Sequence, residues 1–229
     1  AAMMAVRLVE LDPDDGAAAA AASGWLSRAG RPVDAMYYAK LAFQLGHPVN
    51  VATNLGTYDA LDEGSQVGIA EAIRAIAAQW PEDDQAAIAA CLLARLEGDL
   101  KRAEVLILPV LERSPEDVRA VMLWTQLMLD QDADDPFQLL TTTVTRYPDN
   151  QELRLQYARL LGSEGDYAGA QAQFVLLLER DPENTELLST AALLDFELEY
   201  FEEALSKFQQ LIALSERLDE AHYYVGRIE

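Results

Sequence analysis

Hydrophobic residues along most of the chain recur every three or four positions, which is the period of one face of an α-helix. Between residues 150 and 181, Leu153, Tyr157 and Leu161 follow this period until the sequence GSEGD interrupts it. A second stretch with the same period comes after the interruption, at Ala170, Phe174, Leu177 and Leu178. The pattern predicts two amphipathic helices joined by a turn.

Regularly spaced prolines divide the chain into units of similar length. Six of them are 33 to 35 residues apart: Pro13, Pro48, Pro81, Pro115, Pro148 and Pro182. Two positions after each proline comes Asp15, Asn50, Asp83, Asp117, Asn150 or Asn184. Asp and Asn side chains accept hydrogen bonds from the free backbone N–H groups at a helix start, and proline disfavours helix in the preceding residue. Each motif therefore predicts the end of one helix and the start of the next.

The spacing predicts six helix pairs in a single array. Tandem helix–turn–helix units of about 34 residues indicate a solenoid, in which each unit buries its apolar face against its neighbours. The predicted pairs occupy residues 15–47, 50–80, 83–114, 117–147, 150–181 and 184–215, with half units at 1–12 and 217–229. Because each half unit has only one helical pattern, we expect a segment of a longer array, or ends that pack on another molecule.

The fourth predicted pair is irregular. The run TTTVT at 141–145 disfavours a helix because β-branched side chains lose rotamer freedom there. We therefore expect the second helix of this pair to be short or mobile.

The turn before this helix contains alternating carboxylates, which also occur in calcium-binding loops. They are Asp130, Asp132 and Asp134, but Asp135 and Thr141 stand where such a loop needs glycine and glutamate. We predict a solvated acidic turn in preference to a calcium site.

Composition excludes several classes of function. The chain has 39 acidic residues against 17 Lys plus Arg, and its formal net charge of -22 repels nucleic acids and anionic membranes. No apolar run is long enough to cross a membrane, so no membrane insertion of this segment is expected. Neither His47 nor His222 has another ligand at metal-binding spacing, and Cys91 stands at a position held elsewhere by small residues. No catalytic residues, cofactor or metal are predicted.

The repeat resembles the tetratricopeptide repeat family in its small residues and its turns. Twenty-two residues after five of the prolines stand Ala35, Ala70, Ala103, Ala170 and Ala204, where that family has a close helix crossing. The sixth position is Phe137, and glycines occupy three of the turns, at Gly30, Gly98 and Gly165. The resemblance implies an all-α, right-handed superhelical solenoid of antiparallel helix pairs. It also implies a non-catalytic scaffold or adaptor that binds a protein partner in a concave groove.

The first helices of the pairs line that groove in the family, so the resemblance also suggests partner-binding residues. They are Ile88, Leu92, Met122, Gln126, Leu155 and Arg159, with Leu193, Phe196 and Tyr223 as an extension. The family groove that clamps acidic chaperone tails uses basic residues and Asn, and that set is absent here. We expect neutral or basic partner segments. The alternative is that the apolar members belong to the core.

The Ala-rich and acidic repeats further resemble tetratricopeptide proteins of Gram-negative bacteria. Some of those are outer-membrane lipoproteins that bring substrates to a periplasmic carboxyl-terminal processing protease. This resemblance implies a protease adaptor in the periplasm, held at the outer membrane through a region absent from this sequence. The alternatives are a cytoplasmic location, and a self-assembling component of an envelope assembly or export complex.

Replacing Ala170 by Leu tests the predicted crossings. The larger side chain should overpack a close helix contact and lower the free energy of unfolding by about 1–3 kcal/mol. Chemical denaturation followed by circular dichroism measures the change. Ala168→Leu, two positions earlier on the opposite face of the same predicted helix, is the matched control. Equal stability of the two variants would contradict the assignment.

Overall fold

The chain is helical throughout the part that the computed structural model describes, residues 2–214 and 218–228, and no strand occurs there. Residues 1, 215, 217 and 229, at which the sequence predicts the bounds of the two half units and of the sixth helix pair, lie outside the described residues. The helices fall into two compact units, Ala1–Pro136 and Phe137–Glu229. The all-α prediction is confirmed.

The first unit consists mainly of α-helices that pack on their sequence neighbours. They are α1 (Ala2–Leu11), α2 (Gly16–Arg28), α3 (Pro32–Gln44), α4 (Glu63–Gln79), α5 (Asp84–Leu96), α6 (Leu100–Arg113) and α7 (Val118–Asp130). Two short 3-10 helices, η1 (Val51–Leu55) and η2 (Tyr58–Ala60), precede α4. The most extensive contacts join α2 to α3 and α5 to α6, which are the two members of a predicted pair in each case.

The second unit repeats the same packing. It contains α8 (Gln138–Arg146), α9 (Gln151–Ser163), α10 (Tyr167–Leu178), α11 (Thr185–Glu197), α12 (Phe201–Ala213) and α13 (Leu218–Ile228). Helices α9 and α10 form one pair, α11 and α12 form the next, and α13 packs on α12.

The six predicted helix caps are confirmed. Each of the Asp and Asn residues two positions after a proline accepts a backbone N–H at a helix start, over 2.9 to 3.2 Å. The predicted close crossings agree as well, because the five alanines of that series are at most 2% exposed. The turn glycines Gly30, Gly98 and Gly165 have φ between 71° and 83°, a conformation that L-residues with a side chain rarely adopt.

The second predicted pair differs from expectation, since η1 and η2 replace its first α-helix. The segment VATNLGTYDA combines β-branched residues with Gly56, all of which lower helix propensity. Local side-chain bonds also compete with helical ones: Thr53 Oγ1 donates to the Asn50 carbonyl at 2.9 Å, and Asn54 Nδ2 donates to the Val51 carbonyl at 3.3 Å. The neighbouring α5 therefore faces a shorter element than a complete first helix.

The fourth predicted pair has the expected short second helix, since α8 is nine residues long. The hydroxyls of Thr142, Thr143 and Thr145 each donate to the carbonyl four residues earlier, at 2.7 to 2.9 Å. In the acidic turn, Asp130 accepts a hydrogen bond from Arg95 Nε at 2.5 Å, and Asp132 has a φ of 52°. No group of three possible metal ligands is found within residues 2–214 and 218–228.

A buried charge distinguishes the core of the second unit. Asp195 is fully buried and accepts hydrogen bonds from Lys207 Nζ and, at 3.0 Å, from Gln171 Nε2. Thirteen residues after the other five prolines the chain has only apolar residues: Leu26, Leu61, Ala94, Met128 and Leu161. Lys207 compensates for the carboxylate that stands at the sixth position.

Removing only the cation of this pair should destabilise the second unit strongly. Lys207→Met leaves the Asp195 carboxylate buried without a counter-charge, which typically costs about 3–5 kcal/mol of unfolding free energy. The double variant Asp195→Leu/Lys207→Met should recover most of this loss, because it restores the apolar residue type of the other repeats. Urea unfolding of both variants measures the difference. A double variant no more stable than Lys207→Met would contradict a pairing role for the lysine.

The caps provide a second test. Asp83 Oδ1 accepts the Ala86 N–H at 2.9 Å, so Asp83→Ala should lower the free energy of unfolding by about 1 kcal/mol. Asp83→Asn keeps the acceptor and should remain within a few tenths of a kcal/mol of the parent chain. Urea unfolding measures both variants, and equal losses would show that the carboxylate acts by charge and not as a cap.

Candidate functional site

A groove of about 330 Å³ lies in the first unit between η1, α5 and α7. It is lined by Asn50, Ala52, Thr53, Ile88, Leu92, Arg119, Met122, Leu123 and Gln126. Four of the predicted partner-binding residues, Ile88, Leu92, Met122 and Gln126, therefore meet in one place.

The floor of this groove is the outer side of the hydrophobic core. Ile88 is 5% exposed and Leu123 is 6% exposed, so both are core residues. Ile88 thus agrees with the alternative that the apolar members of the predicted set belong to the core. Leu92 is half-buried and packs against two core clusters, whereas Met122 is half-buried and Gln126 is exposed. The accessible apolar surface comes mainly from Leu92 and Met122.

Arg119 gives the rim of this groove its charge, and Asp117 neutralises it. The guanidinium donates to Asp117 Oδ2 at 2.6 Å and to Oδ1 at 3.2 Å, and it also contacts the Gln85 side chain. Partial burial raises the pKa of Asp117, but hydrogen bonds from Arg119 and from the N–H of Ala120 outweigh burial and hold that pKa below its ordinary value. Arg119 is thus fixed as part of the wall.

A second groove, of about 410 Å³, lies in the second unit between α9 and α11, above α10. It contains two further predicted residues, Leu155 and Arg159. The remaining lining residues are Gln151, Glu152, Phe174, Leu177, Asp181, Asn184, Glu186, Leu187 and Thr190.

The other three predicted residues line neither of these grooves. Leu193 and Phe196 are half-buried and pack against the core of α11, α12 and α13. The Phe196 ring lies 5.0 Å from the ring of Tyr224, and the Arg227 guanidinium lies 4.9 Å from its centroid. Tyr223 is 59% exposed beside the same arginine.

Sequence reasoning missed one row of groove residues. Arg119, Glu152 and Glu186 each stand four residues after a proline, and all three line a groove. They lie one helical turn before the row that contains Met122 and Leu155, so the same spacing argument extended by one turn would have found them.

Cys91 has the environment of a structural residue. It is fully buried on α5, and burial raises the pKa of its thiol to about 12. Because the thiolate is the reactive form, the side chain is inert at neutral pH.

None of the described helices is both long and apolar enough to cross a membrane.

Comparison with known proteins identifies the fold. Residues 127–194 match the tetratricopeptide repeat family. No curated protein matches the chain at a significant level of sequence similarity. Among solved structures, a tetratricopeptide repeat protein from Parabacteroides merdae has a TM-score of 0.53 at 17% identity, covering 99% of this chain and 90% of that one. Yeast Tom70 has a TM-score of 0.54 at 14% identity, covering 99% of this chain and 57% of Tom70.

A third structure, Naa15/Naa10 bound to HypK-THB, has a TM-score of 0.50 at 15% identity, covering 99% of this chain and 36% of that one. At identities this low, the similarity to these three structures concerns the fold alone. The caps, the buried crossings and the match over residues 127–194 agree with them, and the chain has the tetratricopeptide repeat fold.

Proposed function

We propose that this chain is a protein-binding scaffold that holds a segment of a partner in the groove between η1, α5 and α7. Proteins with this repeat are generally non-catalytic interaction modules that bind other proteins. The observation that carries the proposal is the accessible apolar surface of Leu92 and Met122 at the bottom of a groove with a polar rim.

The shape of the groove favours a short segment as its occupant. Its volume of about 330 Å³ is near the lower end of protein ligand pockets, which measure roughly 300–1,000 Å³. A few side chains of an extended or helical segment fit this space, whereas a folded domain would contact only the rim.

Affinity and orientation then come from different groups. The apolar centre supplies most of the binding free energy once water is excluded, and the polar rim orients the segment. Met122 lets the groove accept side chains of different shape, because its thioether is unbranched and flexible.

The narrower functions suggested by the sequence remain proposals. Delivery of substrates to a carboxyl-terminal processing protease, a periplasmic location and self-assembly in an envelope complex rest on resemblance. Binding of a partner segment in the groove is compatible with each of them, and its test does not depend on the compartment.

Selection of peptides from a random display library on the purified chain provides ligands for the test. Met122→Asp places a charge at the bottom of the groove and should weaken selected peptides by about tenfold or more. Val105→Asp is the matched control, because Val105 is 69% exposed on α6 and does not line the groove. It should change the dissociation constant by less than about twofold. Fluorescence anisotropy measures both, and thermal melting verifies that both variants fold.

Binding that survives in folded Met122→Asp would overturn the assignment of this groove. Equal weakening by Val105→Asp would do the same, since it would indicate that the peptides respond to negative charge anywhere on the unit.

A further inference from the structure

The groove of the second unit has a different chemistry from that of the first. Its floor is made by Phe174 and Leu177 of α10, each 2% exposed, and Leu155 and Leu187 form its sides. Helices α9 and α11 leave a space of about 410 Å³ above this floor. An occupant of this groove contacts little apolar surface and meets mainly the polar groups of the rim.

The rim carries three carboxylates and one cation. Glu152, Asp181 and Glu186 surround the groove together with Arg159. Within the described residues, no Lys, Arg or His nitrogen lies within 4.0 Å of these carboxylate oxygens, and Arg159 has no ion pair. Glu152 accepts a hydrogen bond from Gln156 at 2.8 Å and Asp181 accepts one from Asn184 at 2.9 Å. Both donors are neutral amides, so no ion pair in the described part of the chain neutralises these three carboxylates, and the rim keeps an excess of negative charge over the single cation Arg159.

The groove of the first unit has a different charge. Among the described residues, its lining contains no carboxylate, and its one charged lining residue, Arg119, is paired with Asp117. Of these two grooves, only that of the second unit has an excess of negative charge.

We propose that the second unit's groove binds a segment of a partner protein that carries basic side chains. Lys or Arg residues of the segment pair with Glu152, Asp181 and Glu186, and apolar side chains between them contact the half-buried Leu155. The formal net charge of -22 raises the local concentration of such segments, and the rim positions them. This inference goes beyond the function proposed for the first groove, because it assigns a separate site and names its ligand class.

A pair of synthetic ten-residue peptides tests the proposal on the whole chain. One has alternating Leu and Lys, the other has alternating Leu and Glu, and both carry fluorescein for anisotropy measurements. The Lys peptide should bind at least about tenfold more tightly than the Glu peptide. Its affinity should fall when the salt concentration is raised from about 0.05 M to about 0.5 M, because the Debye length then shortens from ~14 Å to ~4 Å and the partly exposed charges are screened.

Matched variants locate the binding. Glu152→Gln/Glu186→Gln removes two rim charges and should weaken the Lys peptide by about fivefold or more. Glu164→Gln/Glu179→Gln makes the same change in net charge at two exposed residues of the second unit outside the groove, and should change the affinity by less than about twofold. Met122→Asp, in the other groove, should leave the affinity of the Lys peptide unreduced, which separates this result from the test of the first groove.

Three outcomes would overturn the proposal: equal weakening by the two double variants, equal affinity for the two peptides, or displacement of the Lys peptide by spermine at equal concentration. The first and third would show that the acidic surface attracts any cation. Thermal melting confirms that each variant remains folded before its binding is compared.

Discussion

Each helix of this chain depends on burying its apolar face against a neighbour. The described α-helices have nine to 17 residues, and isolated helices shorter than roughly 12–15 residues are marginal in water. Two paired helices can approach each other closely because alanine stands at their crossings, where its small side chain leaves room for the neighbouring backbone. Polar caps at Asp and Asn satisfy the N–H groups that each helix start leaves free. Packing and capping together stabilise each helix pair.

The same dependence gives residues of the first helices two roles. Ile88 lines a groove but is also part of the core, and Leu92 packs against two core clusters. A change at either position affects stability as well as binding. Met122 and Gln126 are less buried in the core. Substitutions at these two positions therefore distinguish an effect on binding from an effect on stability more clearly.

The two grooves differ in their side chains and in the helical elements that border them. In the first unit, an incomplete element beside α5 accompanies an apolar groove whose lining arginine is neutralised by Asp117. In the second unit, complete first helices enclose a rim of unpaired carboxylates. Under the two proposals, the first groove would hold a segment through apolar contact and the second would hold one through charge.

The sequence by itself determined the caps, the turns and the crossings, because each depends on residues within one repeat. Proline, Asp or Asn, glycine and alanine act locally, and their periodicity was sufficient to identify an all-α repeat fold. It also singled out Met122, Gln126, Leu155 and Arg159, which line grooves in the structure. Only the tertiary structure decided which of the predicted side chains are exposed and which charged groups are neutralised. Whether Phe196 is open or covered depends on Tyr224 and Arg227 from another helix, and whether a carboxylate is neutralised depends on an arginine about one repeat away. Such pairings are set by the packing of helices from different repeats, which the periodicity of a single repeat does not specify.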